Sequence, residues 1–465
     1  MGSWNLLNNL GGKLIMKRIV MQKLLLISVV VVTLILVSGN AIGGGQEEAV
    51  PSKEAVTLQF WHRWGGERVP LMEKQISDFV ADHPNISFES LVLPQDTLYQ
   101  KALAAIASGE APDVIMVYGE SLFPVIVRRN GLLALDDYLK RDRINGSKIF
   151  IKEDWEAFNY NGKCYGLPLT VGACRHFLFY DKNQFKEVGL DPEKPAKTWS
   201  QLQEYAGKLT IKENGDLERM GFDVNGVQNF PFHTWLYSNN GNILSNDQKK
   251  VVFGEEEGLE TIRWMVDYTD SLYGGYEPCL PFTDSVDPSG RIIRTGFYSG
   301  KVAMTCQGVW YFYMLDQNVP DKEYGVDLLP YNDRNPKAEV RIPYRPGTSY
   351  SIPSGSKHPD EAWEWVKFTC TKGCKDFFQA QFRPTCVKEY NEDPYYKENN
   401  PFWDIVLENF EKSVSSPILP LQPEIDEISH QMTEEALLHK KTPAEALKWG
   451  VEETQQLVDE SWAMR

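Results

Sequence analysis

Residues 101–120, KALAAIASGEAPDVIMVYGE, constrain the fold more than any other stretch of this chain. Alanine and leucine favour a helix up to about Ala107. Ser108, Gly109 and Glu110 end it, because glycine accepts the left-handed backbone that a helix C-terminus often needs and Pro112 cannot continue the ladder. The next four residues, VIMV, are too few for a helix and are bounded by turn residues, which predicts a strand buried on both faces. Helix into buried parallel strand is an α/β signature. This strand ends in Tyr118, Gly119 and Glu120, an aromatic, a flexible residue and a carboxylate, at the edge where open α/β sheets bind ligands.

A chain of 465 residues exceeds the size at which one core keeps growing, so two lobes are expected. The run VTLQFW from Val56 predicts the first strand, and it leads into His62, Arg63, Trp64 and two glycines. Two indoles and a planar donor fork just past a strand put stacking and hydrogen-bonding surfaces at a cleft edge, although Trp61 is equally well a core residue. Asn161-Gly162 is a strong hairpin signal. Thr198 and Gln201, like Thr442 and Glu445, have capping-box spacing at helix starts. The segment FPFHTWLYSNNG gathers Phe232, His233, Trp235 and Tyr237 into one short helix, where core and ligand-facing readings of Trp235 are balanced. In TCQGVWYFY, a strand meets a turn and then a helix; Gln307 ends the strand, Gly308 permits close backbone approach, and Trp310 at the helix start is the strongest stacking candidate.

Several blocks resemble the family 1 extracellular solute-binding proteins, the sugar-binding subunits of bacterial ABC importers: ASGEAPDV, GLLALDDYL, YGLP followed by FLFYDK, and FYSGKVAM. PGTSYSI resembles the family's GG-x-x-x-I strand with Thr348 in place of a second glycine, and Arg383-Pro384-Thr385 resembles a further family segment. The resemblance runs from about Thr57 to Ser461. It implies an α/β, two-lobed periplasmic-binding-protein fold (type II), each lobe a mostly parallel sheet flanked by helices, joined by a hinge. The implied boundaries are 56–168 and 346–395 for the first lobe and 169–345 and 396–465 for the second. It also implies a carbohydrate ligand in the inter-lobe cleft, an ABC permease as partner, and a monomer that is not an enzyme. The site candidates are Arg63, Trp64, Tyr118 and Glu120 from the first lobe; Thr170 and Arg175 on the crossing; His233, Trp235, Gln307, Gly308 and Trp310 from the second; and Tyr350 and Arg383 after the return. Three arginines in that set, Arg63, Arg175 and Arg383, raise the alternative of an acidic sugar, since guanidinium matches carboxylate bidentately.

Lys13, Lys17, Arg18 and Lys23 followed by an apolar run and small residues read as a secretory signal peptide, 1–41, with Met1 or Met16 as the start and 42–55 as a flexible tether. This places the protein in the periplasm or elsewhere outside the cytoplasm. The alternative is an uncleaved anchor over 18–37, close to the roughly 20 residues a spanning helix needs. The net charge is −16; losing 1–41 removes four positive charges and no negative ones, leaving −20. So acidic a chain repels nucleic acid. Seven cysteines leave one or two disulfides open, with Cys370 and Cys374 one helical turn apart. No zinc motif, P-loop, dinucleotide fingerprint or nucleophile elbow occurs, so neither a metal nor a cofactor is expected. The competing readings are a secreted carbohydrate hydrolase and a binding protein of this fold for a polyamine or peptide.

Overall fold

The run VTLQFW extends into strand β1 (Val56–His62), which alternates buried and exposed residues up to Phe60 and then stays buried. The computed structural model describes residues 54–463 other than 228–229, 287–293 and 417. The expected signal peptide, its anchor alternative and most of the tether lie outside the described residues.

Helix α1 (Val69–Asp82) buries Met72, Gln75 and Phe79 and delivers β2 (Ile86–Val92) parallel to β1. Helix α2 (Gln95–Ser108) ends at Gly109, whose φ of 75° is the left-handed cap the sequence predicts. Strand β3 (Val114–Tyr118), buried at every position, then pairs parallel to β1 on its other side. Asn161 and Gly162 have φ of 49° and 74°, the paired left-handed geometry of a two-residue hairpin turn. The short strand β4 (Leu167–Pro168) follows.

Beyond it the chain crosses through residues 169–176 into β5 (Phe177–Asp181). Helices α3 (Pro231–Ser238) and α4 (Glu256–Tyr273) precede β6 (Met304–Gln307), helix α5 (Trp310–Asn318) and β7 (Tyr324–Leu328). The return strand β8 (Thr348–Ser351) runs antiparallel between β3 and β4, completing a sheet of order β2-β1-β3-β8-β4. Helix α6 (Pro359–Cys370) covers it with Trp363, Trp365 and Val366 buried. Helices α7 (Gln422–Leu437) and α8 (Pro443–Ala463) close the chain against α4.

The second sheet departs from the parallel arrangement expected. Its order is β6-β5-β7, and both outer strands are antiparallel to β5. The helix α5 carries the chain from one edge to the other, so β6 and β7 run the same way and β5 between them runs against both. Strand β5 is also a shared wall: Phe177 and Phe179 belong to one hydrophobic core, Leu178 and Tyr180 to the other. Period-two alternation explains this directly.

All seven cysteines are buried free thiols, so no disulfide forms. Cys370 and Cys374 each donate to a backbone carbonyl, of Leu167 and Thr371 respectively.

The outgoing and returning crossings pack backbone to backbone. A Cβ on Gly347 would lie 1.7 Å from the Thr170 carbonyl oxygen, and one on Gly172 would lie 2.2 Å from that of Arg345. Glycine is required at both. Asp154, fully buried, ties the same two segments by accepting from the Gly172 amide at 2.9 Å and from the Tyr344 hydroxyl.

Candidate functional site

The carboxyl ends of β1 and β3 and the start of β8 share one edge of the first sheet, because β8 is antiparallel and pairs Thr348 with Tyr118. Arg63 and Trp64 leave β1 at this edge, and Glu120 follows β3. His62 shapes the turn: its Nδ1 accepts the Trp64 amide at 3.1 Å, and burial pulls the imidazole down to about 4, keeping it neutral. The crossing adds Thr170 and Arg175, the loop after residues 374–379 adds Arg383, and Trp310 enters from the first turn of α5. Together with Arg68, Gln95, Met116 and Val171 they line one cavity of about 100 Å³.

Trp310 is partly exposed there, and its ring covers Gly308, where a Cβ would lie 2.1 Å from the indole. Trp64 is held rigidly. Its indole N–H donates to the Tyr350 hydroxyl at 2.8 Å, its ring sits edge-on to Phe377 and Phe378, and the guanidiniums of Arg68 and Arg383 both lie 5.8 Å from it. Arg63 donates to Gln95 at 2.9 Å and to the Tyr118 hydroxyl. Arg175 binds Glu120 with its Nη1 3.0 and 3.3 Å from the two carboxylate oxygens, and its Nη2 donates to the Pro346 carbonyl at 2.8 Å. Thr348 donates its amide to Thr170 Oγ1 at 2.8 Å, fastening the two crossings beside the cavity.

Behind Glu120 a buried network continues: Arg345 lies 3.9 Å from Glu120 and pairs bidentately with Asp426 at 2.9 Å. His233 belongs to this network rather than to the cavity wall. Its Nδ1 meets Arg345 at 3.2 Å, and burial with the Arg345 charge holds it well below the usual imidazole range.

Eight of the expected residues therefore meet at one cavity: Arg63, Trp64, Tyr118, Glu120, Thr170, Arg175, Trp310 and Arg383. Besides His233, three expected ligand contacts are interior. Trp235 is fully buried, donates to the Val224 carbonyl at 2.8 Å and packs against Trp199, Phe222 and Trp264; helical spacing does not distinguish a core face from a cleft face. Tyr350 is fully buried under Trp64 and positions it. Gln307 is fully buried, with its amide donating to Thr305 at 3.2 Å. Gly308 supports Trp310 without lining the cavity. Arg68 and Gln95 escaped the sequence reading, since both sit in polar surface helices with no motif to mark them.

A larger cavity of about 610 Å³ is lined by Phe123, Lys152, Tyr160, Pro346 and Pro420 among others. Gly119 and Asn161 line it, but none of the thirteen site candidates does. Among the described residues no group of His, Cys, Asp and Glu could hold a metal, and no helix is long and apolar enough to cross a membrane.

Comparison with known proteins agrees with this architecture. The chain is 24% identical over 445 residues to the sn-glycerol-3-phosphate-binding periplasmic protein UgpB of Escherichia coli K12, covering 88% of this chain and 93% of that protein. The structure of CpMnBP1 with mannobiose bound superposes with a TM-score of 0.74 at 26% identity, covering 86% of this chain and all of that one. A solute-binding protein from Thermotoga lettingae bound with α-D-tagatose shares the fold, with a TM-score of 0.72 at 24% identity over 86% of this chain and 99% of that one. Residues 65–372 match the family model of bacterial extracellular solute-binding proteins, and with its two-lobed fold the chain belongs to that family.

Proposed function

We propose that the protein captures a carbohydrate in the cavity between its two lobes and delivers it, unchanged, to the permease of an ABC transporter. The observation that carries this is the convergence of Trp310, from the half of the chain built on the second sheet, with Trp64, Tyr118 and Arg63, from the first. One face of a sugar ring is a patch of C–H bonds that suits an indole, while its hydroxyls need planar donors and acceptors. Each hydroxyl left unpaired in a closed cleft costs on the order of 1–3 kcal/mol. Lobes bounded as 56–168 with 346–395, and 169–345 with 396–465, would close about the crossings that Gly172 and Gly347 allow to pack. Ligand held from both sides then favours the closed form, which a permease reads. CpMnBP1 with mannobiose supports the ligand class. UgpB, whose name carries a phosphorylated polyol, shows that the sequence similarity does not fix it.

In this reading the protein works as a monomer outside the cytoplasm after removal of residues 1–41. Titration against a panel of monosaccharides and disaccharides, followed by melting temperature and by chromatography of the sugar, tests it. A ligand-dependent rise in melting temperature with intact sugar is expected. Cleavage at catalytic rates would make the protein a hydrolase. A response only to polyamines or peptides would change the substrate class.

A further inference from the structure

The cavity that takes the proposed ligand has an unbalanced charge. Its lining holds four guanidiniums, Arg63, Arg68, Arg175 and Arg383, against one carboxylate, Glu120. That carboxylate is already engaged by Arg175 and lies within 3.9 Å of Arg345. Among the described residues neither Arg63 nor Arg383 forms an ion pair; Asp96 acts on Arg63 only through its field. Arg383 is the extreme case. It is 6% exposed, its Nε has no hydrogen-bond partner, and its guanidinium lies 5.8 Å from the Trp64 ring and 5.4 Å from that of Phe378.

A buried guanidinium without an acceptor is costly, and natural cores pair such groups or avoid them. Burial, with the Arg68 and Arg63 charges nearby, draws Arg383 down to about 9, which still leaves it protonated at neutral pH. The rest of the molecule is acidic, at −16 overall, so this basic spot is a local exception within a repelling surface. A neutral sugar would leave that charge uncompensated. The cavity is also small, about 100 Å³ against roughly 300–1,000 Å³ for pockets that hold drug-sized ligands.

Resting on the carbohydrate reading, we infer that the ligand is a small anionic sugar, bearing a carboxylate or a phosphate that docks on Arg383 and Arg63 while its ring lies against Trp310. Carboxylate and phosphate both match a guanidinium fork, so the two sources are separated by experiment.

Glucose, galactose and mannose are titrated against the protein, each beside its uronate and its 6-phosphate, following tryptophan fluorescence at low and high salt. At least one anion should bind about 10-fold or more tighter than its neutral counterpart, the range that a hydrogen bond to a charged group provides. Its advantage should shrink with salt. Whether the uronate or the phosphate leads identifies the anion. In Arg383→Gln the ratio should collapse towards one, Arg383→Lys should restore part of it, and the ligand-free Arg383→Gln protein should melt at a higher temperature than wild type, because an uncompensated buried charge is gone. A structural arginine would lower it. Neutral sugars binding as tightly as their anions, or an anion advantage that survives Arg383→Gln, would overturn the inference while leaving the carbohydrate reading in place. No response to any sugar, neutral or charged, would remove both.

Discussion

Arg175 holds Glu120 through both carboxylate oxygens, at 3.0 and 3.3 Å, with both side chains buried. Glu120 follows the central strand of the first sheet, and Arg175 sits on the segment leaving for the second, so the pair pins the crossing to the edge that lines the cavity. Glu120→Ala would leave Arg175 without its carboxylate. A loss of about 3–5 kcal/mol is expected, as when one member of a buried pair is removed, measured by urea denaturation. A change below about 1 kcal/mol would mean that Arg175 finds its compensation elsewhere, at the Pro346 carbonyl.

Trp310 and Trp235 should respond oppositely to truncation. Trp310→Ala is expected to weaken sugar binding by about 2 kcal/mol or more, as removal of a desolvated aromatic contact does, with little change in melting temperature. Trp235→Ala should cost about 3–5 kcal/mol of stability and leave the affinity of the remaining folded protein near wild type. Calorimetric titration and thermal melts on both variants decide it.

Stability should fall between about pH 4 and pH 7 because of Asp154. Burial raises its carboxyl to about 7 in the folded chain, against about 3.9 for the unfolded one. Over that interval the folded state binds the extra proton, so raising the pH draws the equilibrium towards the unfolded chain. The penalty is absent below pH 4, grows to at most about 4 kcal/mol, and is constant above pH 7. Asp154→Asn keeps an oxygen to accept from Gly172 and Tyr344 and cannot ionise. Its melting temperature should exceed wild type at pH 8 and match it near pH 4. Parallel pH profiles of the two proteins would contradict this.

Gly308→Ala should act on ligand binding through Trp310, because the added methyl would sit 2.1 Å from the indole. The ring must move. Quenching of tryptophan fluorescence by an external agent is expected to increase at that position and sugar affinity to fall in step. Retained affinity would show that the ring tolerates displacement.

Local signals in the sequence carried far. Gly109, Asn161-Gly162, the Thr198 cap and the Thr442–Glu445 box sit where short-range backbone chemistry predicts, since each depends on residues within four positions. Thr198 Oγ1 accepts the Gln201 amide, and Glu445 accepts the Thr442 amide. Tyr118 and Glu120 line the cavity because they end a buried strand, a position marked by the residues on either side of it. What escaped was long-range. Arg175 and Glu120 are 55 positions apart, the Trp64 contact with Tyr350 spans 286, and no local pattern encodes either. Trp235 and Trp310 both lie on short aromatic helices; only the packing partners supplied by the rest of the chain decide which one is interior. The antiparallel second sheet was hidden for the same reason: α5 makes β6 and β7 run the same way, but their direction against β5 is set by the long stretch of chain between β5 and β6 rather than by the composition of any of the three strands.

Strand β5, with consecutive side chains committed to different cores, has a consequence for cooperativity. A two-lobed protein whose lobes share only linkers melts in two steps, each with its own enthalpy, and the weaker lobe sets the useful temperature range. Here the middle strand of the second sheet is a structural member of both cores, so neither can dissolve while the other keeps it in place. The molecule is built to lose its structure in one transition, and a partner or ligand that steadies either half steadies the whole.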